Sequence, residues 1–309
     1  MQSDCATEFG DYFKNRRILV TGATGFIGHH LCKLLMDLNA DVYGTALDGE
    51  LHQEINRLPL TIIDFRDQNS LGKYIHNIQP DYVFHLASLV NTSQEIDLVQ
   101  PTLQHNLIST INLMLCLAKS PVRKIIVISS SETPVKSEAP NSPYSASKEA
   151  VTLYARMFAT LYELPISIAK LFTCFGPYQG RNKLIPYIIE SITNGVTPKL
   201  ANPKKVLDFI FVKDFVRGLL FTARNDSTFG DTLDFGSGNG IQVENMAMLI
   251  KHLFTEQSVI GNHRFVHYDN ENGTLANINE TFNATGWSPV WSIEEALCDT
   301  ISWFENQGK

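Results

Sequence analysis

Apolar and polar positions change their period repeatedly along the first half of the chain, and each change marks an element. Ile18, Leu19 and Val20 form a short apolar run ending in Thr21-Gly22, after which Ile27, Leu31, Leu34, Leu35 and Leu38 recur at helical spacing. A strand therefore feeds a helix through a glycine turn. Further strands are predicted over 41–46, 60–67, 82–87 and 124–128, with a long helix from Asn106 through Leu117 and another opening at Ser142-Pro143. Strands alternating with helices at this spacing predict an α/β fold, a parallel doubly wound sheet with ligands at the carboxyl ends of its strands. Beyond Leu161 the pattern loosens, with Pro165, Pro177, Pro186 and Pro198 punctuating shorter elements. Another core strand is expected over 166–172, a strand and helix over 206–220, and a helix around 246–254. Residues 1–172 thus read as one domain, in which 1–15 form a mobile extension or a small surface-packed arm, and 173–309 mainly as a smaller C-terminal α/β lobe.

The glycine turn carries the first chemistry. Gly22, Gly25 and Gly28 stand three apart. The first permits the tight turn, the second lets a phosphate approach the backbone, and the third lets helix and strand pack closely. The helix N-terminus then offers free N–H groups and a partial positive charge to an anion. With the strand before it and the amphipathic helix behind it, the motif predicts dinucleotide binding through Gly22, Thr24, Gly25, Phe26, Ile27 and Gly28. The end of the second strand should meet the adenosine ribose, and Asp48 is the only acid near it; a plain turn role in Leu-Asp-Gly is equally open. No arginine stands close by in sequence to take a 2′-phosphate, so the reading leans to NAD over NADP. His85, within the fourth strand, reads as a satisfied core histidine.

The chain is long enough, at 309 residues with 44% hydrophobic, for a large core with a smaller lobe beside it. A net charge of −7 without a basic run argues against nucleic-acid or anionic-membrane partners. Five scattered cysteines without metal-ligand spacing indicate a reducing compartment, and no metal site is expected. No stretch of about 18 apolar residues occurs, and the expected location is the cytoplasm.

Catalytic chemistry is suggested further along. Ser142 is a good N-cap and Pro143 a good first helical residue, which puts Tyr144 and Lys148 one turn apart on one helix face. A cation about 4 Å from the phenol, at an effective dielectric near 20, is worth roughly 4 kcal/mol, or about three pKa units. Tyr144 is therefore expected to have a lowered pKa and to exchange protons near neutrality. Ser129, Ser130 and Ser131 end the fifth strand, where a hydroxyl can bond the same substrate oxygen; either Ser130 or Ser131 fits that role.

Together the glycine loop, the serines and Tyr144-x-x-x-Lys148 resemble the extended short-chain dehydrogenases/reductases of the nucleotide-sugar epimerase/dehydratase family, over Arg17 to Phe304. The resemblance implies a Rossmann-type sheet with a substrate-binding lobe, residues 206–225 returning from the lobe to the Rossmann domain, and a homodimer. It implies that Asp64 and Phe65 flank the adenine, that Leu86, Ala87 and Ser88 lie beneath the cofactor, and that Asn106 stands near the catalytic site. It also implies a nucleotide-sugar substrate, with Tyr144 as acid/base, Lys148 lowering its pKa and orienting the ribose, both residues contacting the cofactor, and a serine polarising the oxygen. Glu132 matches the acid found beside this serine in members that eliminate water and in several decarboxylases and ketoreductases. A dehydratase or 4-ketoreductase therefore stands ahead of a 4-epimerase, with a solvated turn glutamate as the plain alternative. An alternative of another class is a non-catalytic dinucleotide-binding regulator. Two departures affect the substrate half. Thr173 stands where the family usually has the Asn before Gly176-Pro177, and Leu207 where it has a diphosphate-binding Arg, so Lys204, Lys205 or Arg181 must compensate or the substrate is carried differently.

Overall fold

The computed structural model describes residues 7–133, 139–255 and 275–306. The start of the N-terminal extension, including Cys5, lies outside them.

The first strand–turn–helix forms as its pattern dictates. β1 (Arg17–Thr21) alternates strictly: Ile18 and Val20 enter one core, whereas Leu19 enters the other on the opposite face. Gly22 turns the chain at φ +70°, and α1 (Phe26–Asp37) runs back across the sheet. A Cβ on Gly28 would lie 2.1 Å from the Gly22 carbonyl oxygen, so only glycine allows this close approach of helix and turn. β2 (Asp41–Ala46), β3 (Leu60–Ile62), α2 (Gln68–Ile78) and β4 (Tyr82–His85) follow.

The third strand is shorter than its expected span of 60–67. Asp64 accepts from the Arg66 backbone N–H at 2.9 Å and turns the chain, and Asp67 then N-caps α2 through Asn69 and Ser70. Two polar side chains thus win the backbone from the ladder. The fourth strand likewise ends at His85, because the N–H of Ala87 donates to the Thr21 hydroxyl. The helix expected from Asn106 begins earlier, as α3 (Val99–Thr102). It continues through a π-helical segment (Leu103–Ile108) into α4 (Ser109–Leu117).

β5 (Lys124–Ser130), α5 (Pro143–Leu161) and β6 (Ile166–Leu171) complete the first half. Beyond them lie β7 (Thr173–Phe175), α6 (Leu184–Thr193), β8 (Val206–Phe211), α7 (Val212–Ala223), β9 (Thr232–Phe235), β10 (Gly240–Gln242), α8 (Val243–Thr255), α9 (Ile278–Thr285) and α10 (Ile293–Asn306). Seven parallel strands form the large sheet in the order β3-β2-β1-β4-β5-β6-β9, and β10-β8-β7 form a small one. The chain reverses its winding between β1 and β4, the switch point where open α/β sheets bind ligands. Within residues 206–225, β8 belongs to the small sheet and α7 packs on α1.

The residues ahead of β1 pack firmly. Phe13 is fully buried, Phe9 packs edge-on against Phe221, and the Glu8 carboxylate takes two hydrogen bonds from Arg217 at 2.7 and 2.8 Å. Of the two arrangements open to this segment, residues 7–15 adopt the packed arm, because two aromatic side chains complete the core. No described helix is long and apolar enough to cross a membrane.

Candidate active site

A cleft of about 570 Å³ opens at the β1/β4 switch point. Of the residues singled out for the cofactor, Gly22, Thr24, Gly25, Asp48, Asp64, Phe65, Leu86, Ala87 and Ser88 line it. Phe26, Ile27 and Gly28 form the first turn of α1 behind it, with Phe26 and Ile27 packed against the core. Asp64 holds Arg66 in a two-oxygen pair at 2.6 to 3.0 Å, which draws its carboxyl below the usual range. Asp48 lines the mouth, its backbone carbonyl accepting from the Thr24 hydroxyl at 3.3 Å. Thr45, Leu89, Pro101, His105 and Ser109 also line the cleft and were not singled out, since their sequence pattern reads only as core or helix. Two hydroxyls in its walls, those of Thr45 and Ser88, are buried without a hydrogen-bond partner.

Asn106 does not line the cleft. It is buried at the π-helical segment, where its amide accepts from the Leu89 N–H at 2.7 Å and donates to the Leu89 carbonyl and to the Ser147 hydroxyl. It therefore ties the cleft wall to α5.

The proton-transfer candidates gather at the end of β5, the strand next to β4. Ser142 caps α5 by accepting from the Ser145 N–H, with Pro143 in the first turn, so Tyr144 and Lys148 share one face as their spacing predicts. Of the two serines, Ser130 acts on the Tyr144 phenol, drawing its pKa down, and its hydroxyl accepts from the Glu132 N–H; the Ser131 N–H bonds the Leu171 carbonyl. The expected lowering of the Tyr144 pKa is not found. Burial pushes it up to about 12, Ser130 draws it down and the charge of Glu132 pushes it up. Lys148 Nζ donates instead to the Ile128 carbonyl at 2.9 Å and lies 5.9 Å from the phenol ring centroid. The Ile128 carbonyl, within β5, takes the ammonium, and burial brings the Lys148 pKa down to about 8.

Glu132 donates its N–H to the Ser130 hydroxyl and accepts at its carbonyl from the Ser145 hydroxyl. Its carboxylate meets Lys205 Nζ at 4.0 Å, a pair that spans the gap between the two sheets. The other two basic candidates are held within their own lobe. Arg181 bonds Glu190 at 2.8 Å, and Lys204 pairs with Glu244. Thr173 opens β7 opposite Phe209, and Leu207 sits on β8 opposite Ile241. Among the described residues no cluster of His, Cys, Asp and Glu has the geometry of a metal site.

The sequence model of the NAD dependent epimerase/dehydratase family matches residues 18–234. The chain belongs to that family. Its members are enzymes, and this family member is 25% identical to a probable dTDP-glucose 4,6-dehydratase of Sinorhizobium fredii over 94% of its own length and 93% of the relative's. It is also 25% identical to a UDP-glucuronate 4-epimerase of Thermodesulfobacterium geofontis, with 92% and 95% covered. Solved structures share the fold. UDP-glucose 4-epimerase of Thermotoga maritima, determined with UDP-glucose, superposes with a TM-score of 0.83 at 21% identity, covering 95% of this chain and all of that one. The enzyme WbmF of Bordetella bronchiseptica, determined with NAD+ and UDP, superposes with a TM-score of 0.83 at 23% identity, covering 96% and 95%.

Proposed function

We propose that this family member modifies a nucleotide-activated sugar at a carbinol or keto carbon, as a dehydratase or 4-ketoreductase. The observation that carries the reading is the placement, at two adjacent strand ends, of a glycine-framed cleft and of the buried Tyr144 phenol with Ser130 acting on it.

The residues present fit a dinucleotide. The cleft wall at Gly25 is bare, a Cβ there meeting only the Gly22 carbonyl at 3.2 Å, and the orphaned Thr45 and Ser88 hydroxyls await partners. In this reading Gly22, Thr24, Gly25 and the first turn of α1 hold the diphosphate, Asp48 the ribose, Asp64 and Phe65 the adenine edge, and Leu86 to Ser88 the floor. When bound, the nicotinamide supplies a two-electron acceptor and donor for the sugar carbon. NAD is preferred to NADP because, among the described residues, no Lys or Arg lines the cleft to meet a 2′-phosphate.

Tyr144 moves the proton at the sugar oxygen, Ser130 polarises that oxygen and Lys148 supplies the ammonium that stabilises the phenolate. In the dehydratase, Glu132 moves the proton at carbon. Lys205 is the one of the three basic candidates directed at this site, and it takes the anionic part of the substrate in place of an arginine at Leu207. The exposed apolar side chains Val99, Leu103, Leu153 and Leu161 support a homodimer. The described cysteines are all free, which suits the cytoplasm.

Mass spectrometry of the purified protein for bound NAD, with assays on dTDP-glucose, UDP-glucose and UDP-glucuronate, tests the reading. Turnover of one of them that falls at least ~10² in Tyr144→Phe, with NAD affinity retained, is expected. Full activity in Tyr144→Phe would remove the phenol from the mechanism. A second reading, 4-epimerisation, is favoured by the epimerase relative and is distinguished by Glu132.

A further inference from the structure

His85 is buried at the end of β4 with both ring nitrogens engaged, Nδ1 with the Thr21 hydroxyl at 2.9 Å and Nε2 with the Thr110 hydroxyl at 2.8 Å. The partners fix its tautomer. Thr110 spends its single proton on the Asn106 carbonyl at 2.5 Å, so it can only accept from the imidazole, and Nε2 must carry the hydrogen. Nδ1 then accepts from Thr21, whose oxygen is left to receive the Ala87 N–H at 3.0 Å. The other tautomer would face Thr110 with two acceptors. One hydrogen-bond direction therefore runs from Ala87 through Thr21, His85 and Thr110 to Asn106.

This chain clamps the cleft wall at both ends. Thr21 holds Ala87, and Asn106 holds both backbone groups of Leu89. Ser88 lies between the two anchored residues, and its hydroxyl is buried in the cleft wall without a partner. The His85 ring also stacks on Phe65, another cleft residue, at 6.2 Å and an interplanar angle of 7°.

We propose that His85 is a positioning residue of the cofactor site: as its Nε2–H tautomer it bridges Thr21 to Thr110 and holds the wall that presents the Ser88 hydroxyl to the bound dinucleotide. The inference rests on the reading of this cleft as a dinucleotide site. It gives His85 a role beyond filling the core, since an apolar ring of the same size would pack equally well but could not orient the two threonines.

Calorimetry with NAD+ and with UDP on the full chain tests it. His85→Phe keeps the stacking and the volume and should weaken NAD+ binding by about tenfold while UDP affinity stays within about twofold. His85→Gln, which can donate and accept along the same line, should recover most of the loss. Because His85 acts through Ser88, adding Ser88→Ala to His85→Phe should cost no more than the larger single loss. NAD+ affinity unchanged in His85→Phe, multiplying losses in the double variant, or a 15N spectrum with the hydrogen on Nδ1 would overturn the proposal. If His85→Phe does not fold, Thr110→Val removes the same link from its other end and must weaken NAD+ binding alike. A wild-type protein that binds no NAD+ would instead remove the reading of the cleft.

Discussion

Lys148 and Tyr144 share a helix face, yet the Lys148 ammonium is bonded to the Ile128 carbonyl and stands 5.9 Å from the Tyr144 ring centroid. The two groups are therefore shifted by burial in opposite senses, Tyr144 up to about 12 and Lys148 down to about 8. The free enzyme holds a protonated phenol, suited to giving a proton to a carbonyl.

The buried charge has a stability cost with a definite sign. A lysine whose folded pKa lies near 8 against 10.5 unfolded loses its proton first in the folded state. Below pH 8 the full penalty is present, and between about 8 and 10.5 it is relieved as pH rises. Lys148→Met should therefore stabilise the free protein near pH 7, by up to about 3 kcal/mol, while abolishing turnover. Wild-type kcat/KM should decline above pH 8. Urea unfolding at pH 7 and 10 and a pH–rate profile measure both effects; a less stable Lys148→Met at pH 7 would mean that the Ile128 bond outweighs desolvation.

Gly25 and Gly28 separate binding from folding. A Cβ at Gly25 meets only the Gly22 oxygen at 3.2 Å, whereas one at Gly28 meets it at 2.1 Å and the Ala23 Cα at 2.9 Å. Gly25→Val should leave a folded protein with severely weakened NAD affinity, and Gly28→Ala should lose stability first. Thermal melts paired with calorimetry check this, and unchanged NAD affinity in Gly25→Val would contradict the placement of the diphosphate.

Glu132 distinguishes the competing chemistries. Removing water from neighbouring sugar carbons needs a group that moves a carbon-bound proton, whereas 4-epimerisation and simple keto reduction do not. Glu132→Gln should lower turnover by ~10² or more in a dehydratase, while nicotinamide absorbance still responds to substrate. A near-wild-type rate would leave Glu132 as a turn residue and favour the epimerase or reductase.

Lys205 immediately precedes β8 and, by strand alternation, falls on the same face as Leu207 two residues on. Lys205→Met should raise KM for the nucleotide sugar by about tenfold, the worth of one charge-assisted contact, with kcat changed far less. Steady-state kinetics decide, and an unchanged KM would return the diphosphate to neutral groups.

Local patterns carried the parts of the site that local forces make. The glycine turn, the Ser142 cap and the one-turn spacing of Tyr144 and Lys148 were legible because each depends on residues within a few positions. What escaped depends on partners distant in sequence. The carbonyl that takes Lys148 lies twenty residues away on another element, and the Asn106 amide is committed to Leu89 and Ser147. The short β3 was misread because its apolar run continues through Ile63 although Asp64 and Asp67 have already taken the backbone. His85, by contrast, read as a satisfied core histidine, and both of its nitrogens are engaged.

The late arrival of β9 has a consequence for how the chain is made. Thr232–Phe235 supplies the edge partner of β6 only after the small sheet's first strands have been laid down. A nascent chain ending between Leu171 and Thr232 presents Ile166, Ile168 and Ala169, all wholly buried in the finished fold, along an open parallel edge. Such an edge is a template for other chains. On the ribosome this protein therefore passes through a stage whose exposure to aggregation lasts as long as the synthesis of the intervening lobe, and a fragment cut at residue 172 would remain in that stage permanently.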